Sequence, residues 1–248
     1  MLFYQHRHAA TGLAGIRGRA MDFIFMLTRN DRTVEDASEI VDAVADLGVK
    51  HIGFKDVGVE PAIMRELVGK IRRRGGTTYL EVVSTTPDAV IGSLEAGRQL
   101  GVDCILGGTD LGAAQRILGA LSCYFPFPGR PIGHPTKLEG SAELVAEHCR
   151  AARARGCGGV DLLAYRATQA DPHDLVRAAR RALVDSRLIV AGSVNTKRQI
   201  HDLAKAGADA FTIGSAVFDG SFSPAKGGLR GQILDILEAC DSAPDMAA

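Results

Sequence analysis

The chain has no surplus of either charge: Lys plus Arg and Asp plus Glu number 29 each among 248 residues. With no global field to attract a polyanion, nucleic acid and anionic membrane surfaces are disfavoured as partners, and any recognition of phosphate must be local. No run of apolar residues approaches the length of a membrane span. The five cysteines, Cys104, Cys123, Cys149, Cys157 and Cys240, form no C-x-x-C pair and are odd in number, which speaks against a disulfide framework and for reduced thiols in a cytoplasmic enzyme. No two histidines have metal-ligand spacing, so zinc is not expected, a weak carboxylate site for Mg²⁺ being the one metal left open. No cofactor is expected either. The first twenty residues lack any acidic side chain and any clear period. They read as an N-terminal extension, disordered or reflecting a misplaced start, ahead of a single domain over 21–240 and a disordered tail over 241–248.

What the chain does have is concentrated in Leu188–Phe218, LIVAGSVNTKRQIHDLAKAGADAFTIGSAVF. Two short β-branched runs each end in a Gly-Ser step, Gly192-Ser193 and Gly214-Ser215, with a helical pattern from Thr196 to Ala206 between them. Glycine there lets the backbone approach a ligand, and successive N–H groups, helped by a following helix N-terminus, can converge on an anion. In a (β/α)8 barrel the loops after strands seven and eight are where a substrate phosphate usually sits. Gly192, Ser193, Val194, Gly214, Ser215 and Ala216 are therefore the candidate phosphate-binding residues.

The remaining six strands are announced by a recurring glycine. Gly48, Gly75, Gly101, Gly156 and Gly207 each stand where a helix pattern stops and an apolar run begins, the place for a left-handed residue that closes a helix. An open doubly wound sheet would use the same device, but the double loop at the chain's end favours the α/β class in its (β/α)8 TIM-barrel form. The length matches the roughly 250 residues of one such barrel, and 46% hydrophobic residues suffice for a single large core. Strands are expected at Phe23–Thr28, His51–Asp56, Thr78–Val83, Cys104–Leu106, Ser122–Phe125, Gly159–Tyr165, Leu188–Ala191 and Ala210–Ile213, with helices between them. Two prolines after Phe125 force strand five out of the sheet by Pro126, into a long loop over the barrel mouth.

Barrel chemistry sits at strand C-termini, so the inward polar side chains there matter most. If Ile52 and Phe54 face the helices, period two turns His51, Gly53 and Lys55 inward. The same reasoning turns Glu81 inward on strand three, and Asp161, Leu163 and Tyr165 on strand six. Lys55, Glu81, Asp161 and Tyr165 form a candidate ring, joined from the rims by Asp56, Asp110, His134 and Arg166. Lys55, Glu81 and Asp161 are the catalytic candidates; Arg166 and His134 are added to the substrate-binding set. A buried lysine among carboxylates can transfer protons, form an imine or clamp an enolate, or it can belong to a structural ion-pair network. Gly107-Gly108-Thr109-Asp110 reads either as a phosphate-cradling turn or as the cap of helix four.

The segment IVAGSVNTKRQIHDLAKAGADAFTIGSAVF resembles the C-terminal quarter of the ribulose-phosphate-binding barrels, the group that holds the phosphoribosyl isomerase of histidine synthesis and N-acylmannosamine-6-phosphate 2-epimerase. The resemblance implies sugar-phosphate binding through Gly192, Ser193, Gly214 and Ser215, and carbon acid/base chemistry at the mouth. The histidine-pathway isomerases carry an aspartate at the end of strand one, where this chain reads Phe25-Met26-Leu27-Thr28-Arg29. The decarboxylase branch carries D-x-K-x-x-D on strand three, where this chain reads Leu80-Glu81-Val82-Val83-Ser84, so neither reaction transfers. The expectation is an isomerase or epimerase of a small phosphorylated sugar or polyol, with Lys55 and Glu81 as its acid/base pair. A lyase using Lys55 as an imine-forming amine and a non-catalytic sugar-phosphate sensor are the alternatives. The expected partner is the small phosphorylated substrate; a homo-oligomer is left open.

Overall fold

The computed structural model describes residues 21–82, 84 and 86–243. The extension over 1–20, the end of the tail beyond 243 and the last residue of the expected third strand lie outside the described residues. Eight parallel strands follow one another along the chain: β1 (Asp22–Met26), β2 (His51–Lys55), β3 (Thr77–Val82), β4 (Cys104–Gly107), β5 (Tyr124–Phe125), β6 (Gly159–Leu162), β7 (Arg187–Val190) and β8 (Ala210–Ile213). They are ordered β6-β7-β8-β1-β2-β3-β4-β5. The first strand lies between the last and the second, with Phe25 opposite both Ile213 and Ile52. At the remaining seam the Gly158 N–H donates to the Leu121 carbonyl and the Asp161 N–H to the Pro126 carbonyl, both at 3.0 Å. The architecture is a (β/α)8 TIM barrel.

Helices α1 (Ala37–Ala43), α2 (Pro61–Arg73), α3 (Pro87–Leu100), α4 (Leu111–Leu118), α5 (Ala142–Ala154), α6 (Pro172–Leu183), α7 (Lys197–Ala206), the single turn α8 (Ser215–Phe218) and α9 (Gly228–Asp241) alternate with the strands. Proline opens α2, α3 and α6, where its missing N–H has no intrahelical acceptor to lose. Ser141 caps α5, and Thr196 with Gln199 forms a capping box on α7. The five punctuating glycines all have positive φ, from 68° at Gly101 to 97° at Gly207. Helix α4 ends on a further glycine, Gly119, and α6 ends on Val184, a β-branched residue at φ 57°. Helix α9 runs to Asp241, one residue into the segment expected to be tail.

Strand parity sorts the core into two layers. Ile24, Met26, Tyr79, Leu106, Phe125, Ile189 and Ala210 fill the barrel interior, while Phe25, Ile52, Phe54, Leu80, Ile105, Val160, Leu188, Val190 and Phe211 pack beneath the helices. Each fully buried large apolar side chain contributes about 1.5–3 kcal/mol. At the N-terminal end of the barrel the polar groups close on themselves: Arg187 pairs with Asp22 at 2.5 Å and Tyr79 Oη lies 3.1 Å from His51 Nδ1.

Two departures from the expected strands shape the mouth. β1 stops at Met26, and residues 28–33 turn back as an antiparallel hairpin in which Thr28 pairs with Thr33 and Arg29 with Arg32. β6 stops at Leu162 and the chain enters a 3₁₀ turn over Ala164–Arg166, so strand parity does not extend to Leu163 or Tyr165. The loop after β5 leaves the sheet at Pro126 and forms a ribbon, Arg130–Ile132 against Lys137–Glu139. The ribbon is fastened to the turn after β6 by the Thr168 N–H donating to the Leu138 carbonyl at 3.0 Å.

Candidate active site

A cleft of about 240 Å³ opens at the C-terminal mouth. One wall is Asp31, Lys55, Glu81 and Arg166; the other is Gly192–Asn195 together with Gly214–Ala216. Parity places Lys55 on β2 and Glu81 on β3 at paired positions of the ladder, and the Lys55 ammonium lies 3.5 Å from Glu81 Oε2. Both are buried, at 3% and 9% exposure.

The nearest partner of Lys55 is a residue the strand pattern does not reveal. Asp31 Oδ1 accepts a hydrogen bond from Lys55 Nζ at 2.6 Å. It arrives from the tip of the hairpin, where Asn30 and Asp31 take φ of 51° and 57° in succession. Asparagine and aspartate tolerate that left-handed backbone better than other side chains, and two such residues in a row make the tight turn whose twist suits paired strands. Thr33 then locks the hairpin to β2: its hydroxyl donates to the Lys55 carbonyl at 2.7 Å and accepts from the Lys55 N–H at 2.8 Å. On the opposite side Arg29 donates to the Phe218 carbonyl at 2.9 Å and stands over the Phe218 ring at 5.9 Å. Burial opposes ionisation of Asp31, but the Lys55 charge and its hydrogen bond, with Arg166 and His134 farther off, hold its carboxyl below the ordinary range.

Asp161 points inward from β6 into the same layer but lies beneath the cleft, fully buried, with neither carboxylate oxygen bonded among the described residues. Burial and then the neighbouring Glu81 push its carboxyl well above the ordinary value, against a smaller opposing pull from Lys55 and Arg166. Burial without a hydrogen-bond partner among the described residues, beside another carboxyl group, thus favours the neutral form of Asp161.

Arg166, on the 3₁₀ turn, faces the cleft with a guanidinium nitrogen 3.7 Å from Asp31 and another donating to the Thr136 carbonyl at 3.3 Å. Its side chain lies across Gly192, where a Cβ would stand 2.5 Å from the Arg166 Nε. A Cβ on Gly214 would stand 2.6 Å from Thr28 Oγ1 and 2.8 Å from the Thr28 carbonyl oxygen. Both glycines are therefore sites of close approach, but by Arg166 and the hairpin. The N–H groups of Gly192, Ser193, Val194, Ser215 and Ala216 have no acceptor among the described residues. Five donors on the lining of one small cleft are a means of holding an anion. Asp219, at the rim of the second loop, accepts from the Ser221 N–H at 3.0 Å and its hydroxyl at 2.7 Å and also lines the cleft, an acidic group not anticipated beside these donors.

Other expected members stand elsewhere. Tyr165 turns away and packs edge-on against His173, with ring centroids 6.0 Å apart, because β6 has already ended. Asp56 accepts from Ser93, and Asp110 caps α4 by accepting from the Ala113 N–H at 2.9 Å. Gly107 and Gly108 pack against Val82, Phe127 and Tyr124, and their turn lines no part of the cleft. His134 sits exposed at the tip of the ribbon and reaches Asp31 only through its field. Among the described residues no cluster of three or more His, Cys, Asp or Glu could hold a metal ion, and no helix is long and apolar enough to cross a membrane.

No protein-family model matches the chain, and no curated protein matches it in sequence. Solved structures do match it in shape. A structure described as native KDPGal has a TM-score of 0.62 at 14% identity, covering 90% of this chain and 96% of that one. Orotidine 5'-phosphate decarboxylase from Pyrococcus horikoshii OT3 has a TM-score of 0.59 at 16% identity over 89% and 99%. Thiamine phosphate pyrophosphorylase from Pyrococcus furiosus has a TM-score of 0.57 at 13% identity over 92% and 99%. At these identities the likeness is one of fold, and it puts the chain among barrel architectures that include enzymes named for phosphorylated compounds.

Proposed function

We propose that the protein is an isomerase or epimerase of a small phosphorylated sugar or polyol, working by proton transfer at carbon. The observation that carries this reading is Lys55, held between Asp31 and Glu81 across one cleft from two loops of unbonded backbone N–H groups. The phosphate is taken by the N–H groups of Gly192–Val194 and Ser215–Ala216, with the Arg166 guanidinium beside it. The carbon skeleton then extends toward Lys55. Glu81 removes the proton next to a carbonyl, and the Lys55 ammonium stabilises the oxyanion that forms. Returning the proton to the neighbouring carbon, as the hydroxyl proton passes to the carbonyl oxygen, gives isomerisation; delivery of a proton to the opposite face of the same carbon, from a second acid or from solvent, gives epimerisation.

The lyase alternative needs Lys55 as a free amine, and losing that charge would leave Asp31 and Glu81 without their counter-ion in a buried site. The 2.6 Å bond to Asp31 therefore favours acid/base and electrostatic roles. The balanced overall charge supports a small ligand as partner, and none of the five cysteines is in a disulfide, which suits a cytoplasmic setting. The test is incubation with a panel of phosphorylated aldoses and ketoses in D₂O, read by proton NMR, with borohydride added to parallel samples. The expected result is deuterium entering one substrate carbon and no adduct on Lys55. A borohydride-trapped adduct refutes the isomerase reading in favour of a lyase, and tight binding without exchange refutes catalysis.

A further inference from the structure

The charges on the wall opposite the two loops narrow the class of ligand, given the assignment of its phosphate to those loops. Two cations stand there, Lys55 on that wall and Arg166 between it and the Gly192 loop, and each already has a carboxylate: Lys55 stands 2.6 Å from Asp31 and 3.5 Å from Glu81, and Arg166 stands 3.7 Å from Asp31. All four side chains are buried or partly so, at 3% exposure for Lys55 and 9% for Glu81. The wall is thus charge-balanced before a ligand arrives, whereas the opposite loops offer N–H donors with no acceptor. We propose that the end of the ligand remote from its phosphate is uncharged, a hydroxyl or carbonyl carbon and neither a carboxylate nor a second phosphate, and that Asp31 is the residue that enforces this choice.

A hydroxyl suits this wall. An ammonium has three donors and a carboxylate accepts at both oxygens, so a neutral polar group can bond to Lys55 and Glu81 together without displacing Asp31. A ligand carboxylate has to compete with Asp31 for the same ammonium while standing close to Glu81, and like charges in a partly desolvated site repel. The buried carboxyl beneath shows the same tendency: Asp161, whose oxygens have no partner among the described residues, is pushed toward its neutral form by burial and by Glu81. A further negative charge above it meets the same resistance. Asp31 is the member of the wall that pairs with both cations, so its charge decides whether any positive potential is left for a ligand.

The test compares sn-glycerol 3-phosphate with 3-phosphoglycerate, which differ by one CH₂OH to carboxylate change, using titration calorimetry at about pH 8, above the second ionisation of a phosphate monoester. Inorganic phosphate serves as competitor. Asp31→Asn preserves the left-handed turn, because asparagine favours it, and Glu81→Gln provides a second removal of charge. The proposal expects glycerol 3-phosphate to bind at least tenfold more tightly than 3-phosphoglycerate, and Asp31→Asn to reduce that ratio to within about threefold or invert it. Equal or tighter binding of 3-phosphoglycerate by the parent protein overturns the proposal, as does a ratio unmoved by Asp31→Asn, whatever Glu81→Gln does. The phosphate assignment has its own control. Ser215→Asp, at an exposed position of the second loop, must abolish competition by inorganic phosphate; if it does not, the loop assignment fails and the proposal falls with it, an outcome distinct from an inverted preference with competition intact.

Discussion

Replacing Asp161 with asparagine removes an acidity while keeping the shape and polarity of a neutral carboxyl, and the consequence for stability has a definite sign. In the unfolded chain Asp161 titrates near 3.8, its ordinary value. In the folded protein burial and Glu81 raise that value well above it. Between the two values the folded state holds a proton that the unfolded state has lost, so raising the pH favours unfolding. The parent protein therefore loses about 1.4 kcal/mol per pH unit through this group, from about pH 4 upward until Asp161 itself ionises. Asp161→Asn has no such slope. Urea unfolding of both proteins at intervals between about pH 4 and 8 measures the difference directly, provided the dependence on urea concentration keeps its slope. The variant's stability relative to the parent should rise with pH by about 1.4 kcal/mol per unit over the lower part of this range. Groups elsewhere cancel in the difference, leaving those that face Asp161: Glu81, Lys55 and Arg166. A constant difference, or one that falls as pH rises, would mean that burial and Glu81 do not raise the Asp161 carboxyl in the folded protein.

Three further substitutions test the packing around the site. Lys55→Met leaves Asp31 and Glu81 buried without their cation and should cost about 3–5 kcal/mol of unfolding free energy, part of which returns when Asp31→Asn is added; additive losses would show that the pair is not coupled. Gly214→Ala forces a methyl group against the Thr28 hydroxyl and carbonyl and should cost about 1–3 kcal/mol, seen as a lower Tm; an unchanged Tm would show that the hairpin does not press on the loop. Val184→Gly relieves a β-branched residue held at φ 57° at the end of α6, where the residue is 55% exposed and little burial is lost, so it should raise stability by about 1 kcal/mol in the same assay; a lower Tm would contradict the strain argument.

The legible part of this protein was whatever depends on a strict period. Inward positions on β2, β3 and β6 follow from alternation alone, so Lys55, Glu81 and Asp161 could be placed inside the barrel without knowing any contact. The barrel closure was legible from the two Gly-Ser loops near the chain's end, since the recurring glycines that end the helices fit an open sheet as well. Tyr165 illustrates where the rule stops. Parity holds only while the backbone stays extended, and Leu163, at φ −78° and ψ 50°, has already turned into the 3₁₀ segment. The glycines at 192 and 214 were legible as points of close approach, but a sequence names only the missing Cβ and not the group that takes its space; here those groups are Arg166 and Thr28.

Asp31 was hidden because it lies five residues beyond the end of its strand, where neither period applies. A local signal existed, since Thr28-Arg29-Asn30-Asp31-Arg32-Thr33 is a palindrome-like run around the Asn-Asp pair that a tight hairpin favours. What no local signal could show is where the hairpin points. That is decided by three contacts distant in sequence: Thr33 to the Lys55 backbone, Asp31 to the Lys55 ammonium and Arg29 to the Phe218 carbonyl. Since Phe218 ends the single helical turn that begins at Ser215, these contacts join the lysine of one wall to the N–H donors of the other through six residues. Displacement of either wall thus loads the same turn, whose two left-handed residues have little room to adjust. The separation between the Lys55 ammonium and the unbonded N–H groups of Ser215 and Ala216 is accordingly set by the length of the hairpin.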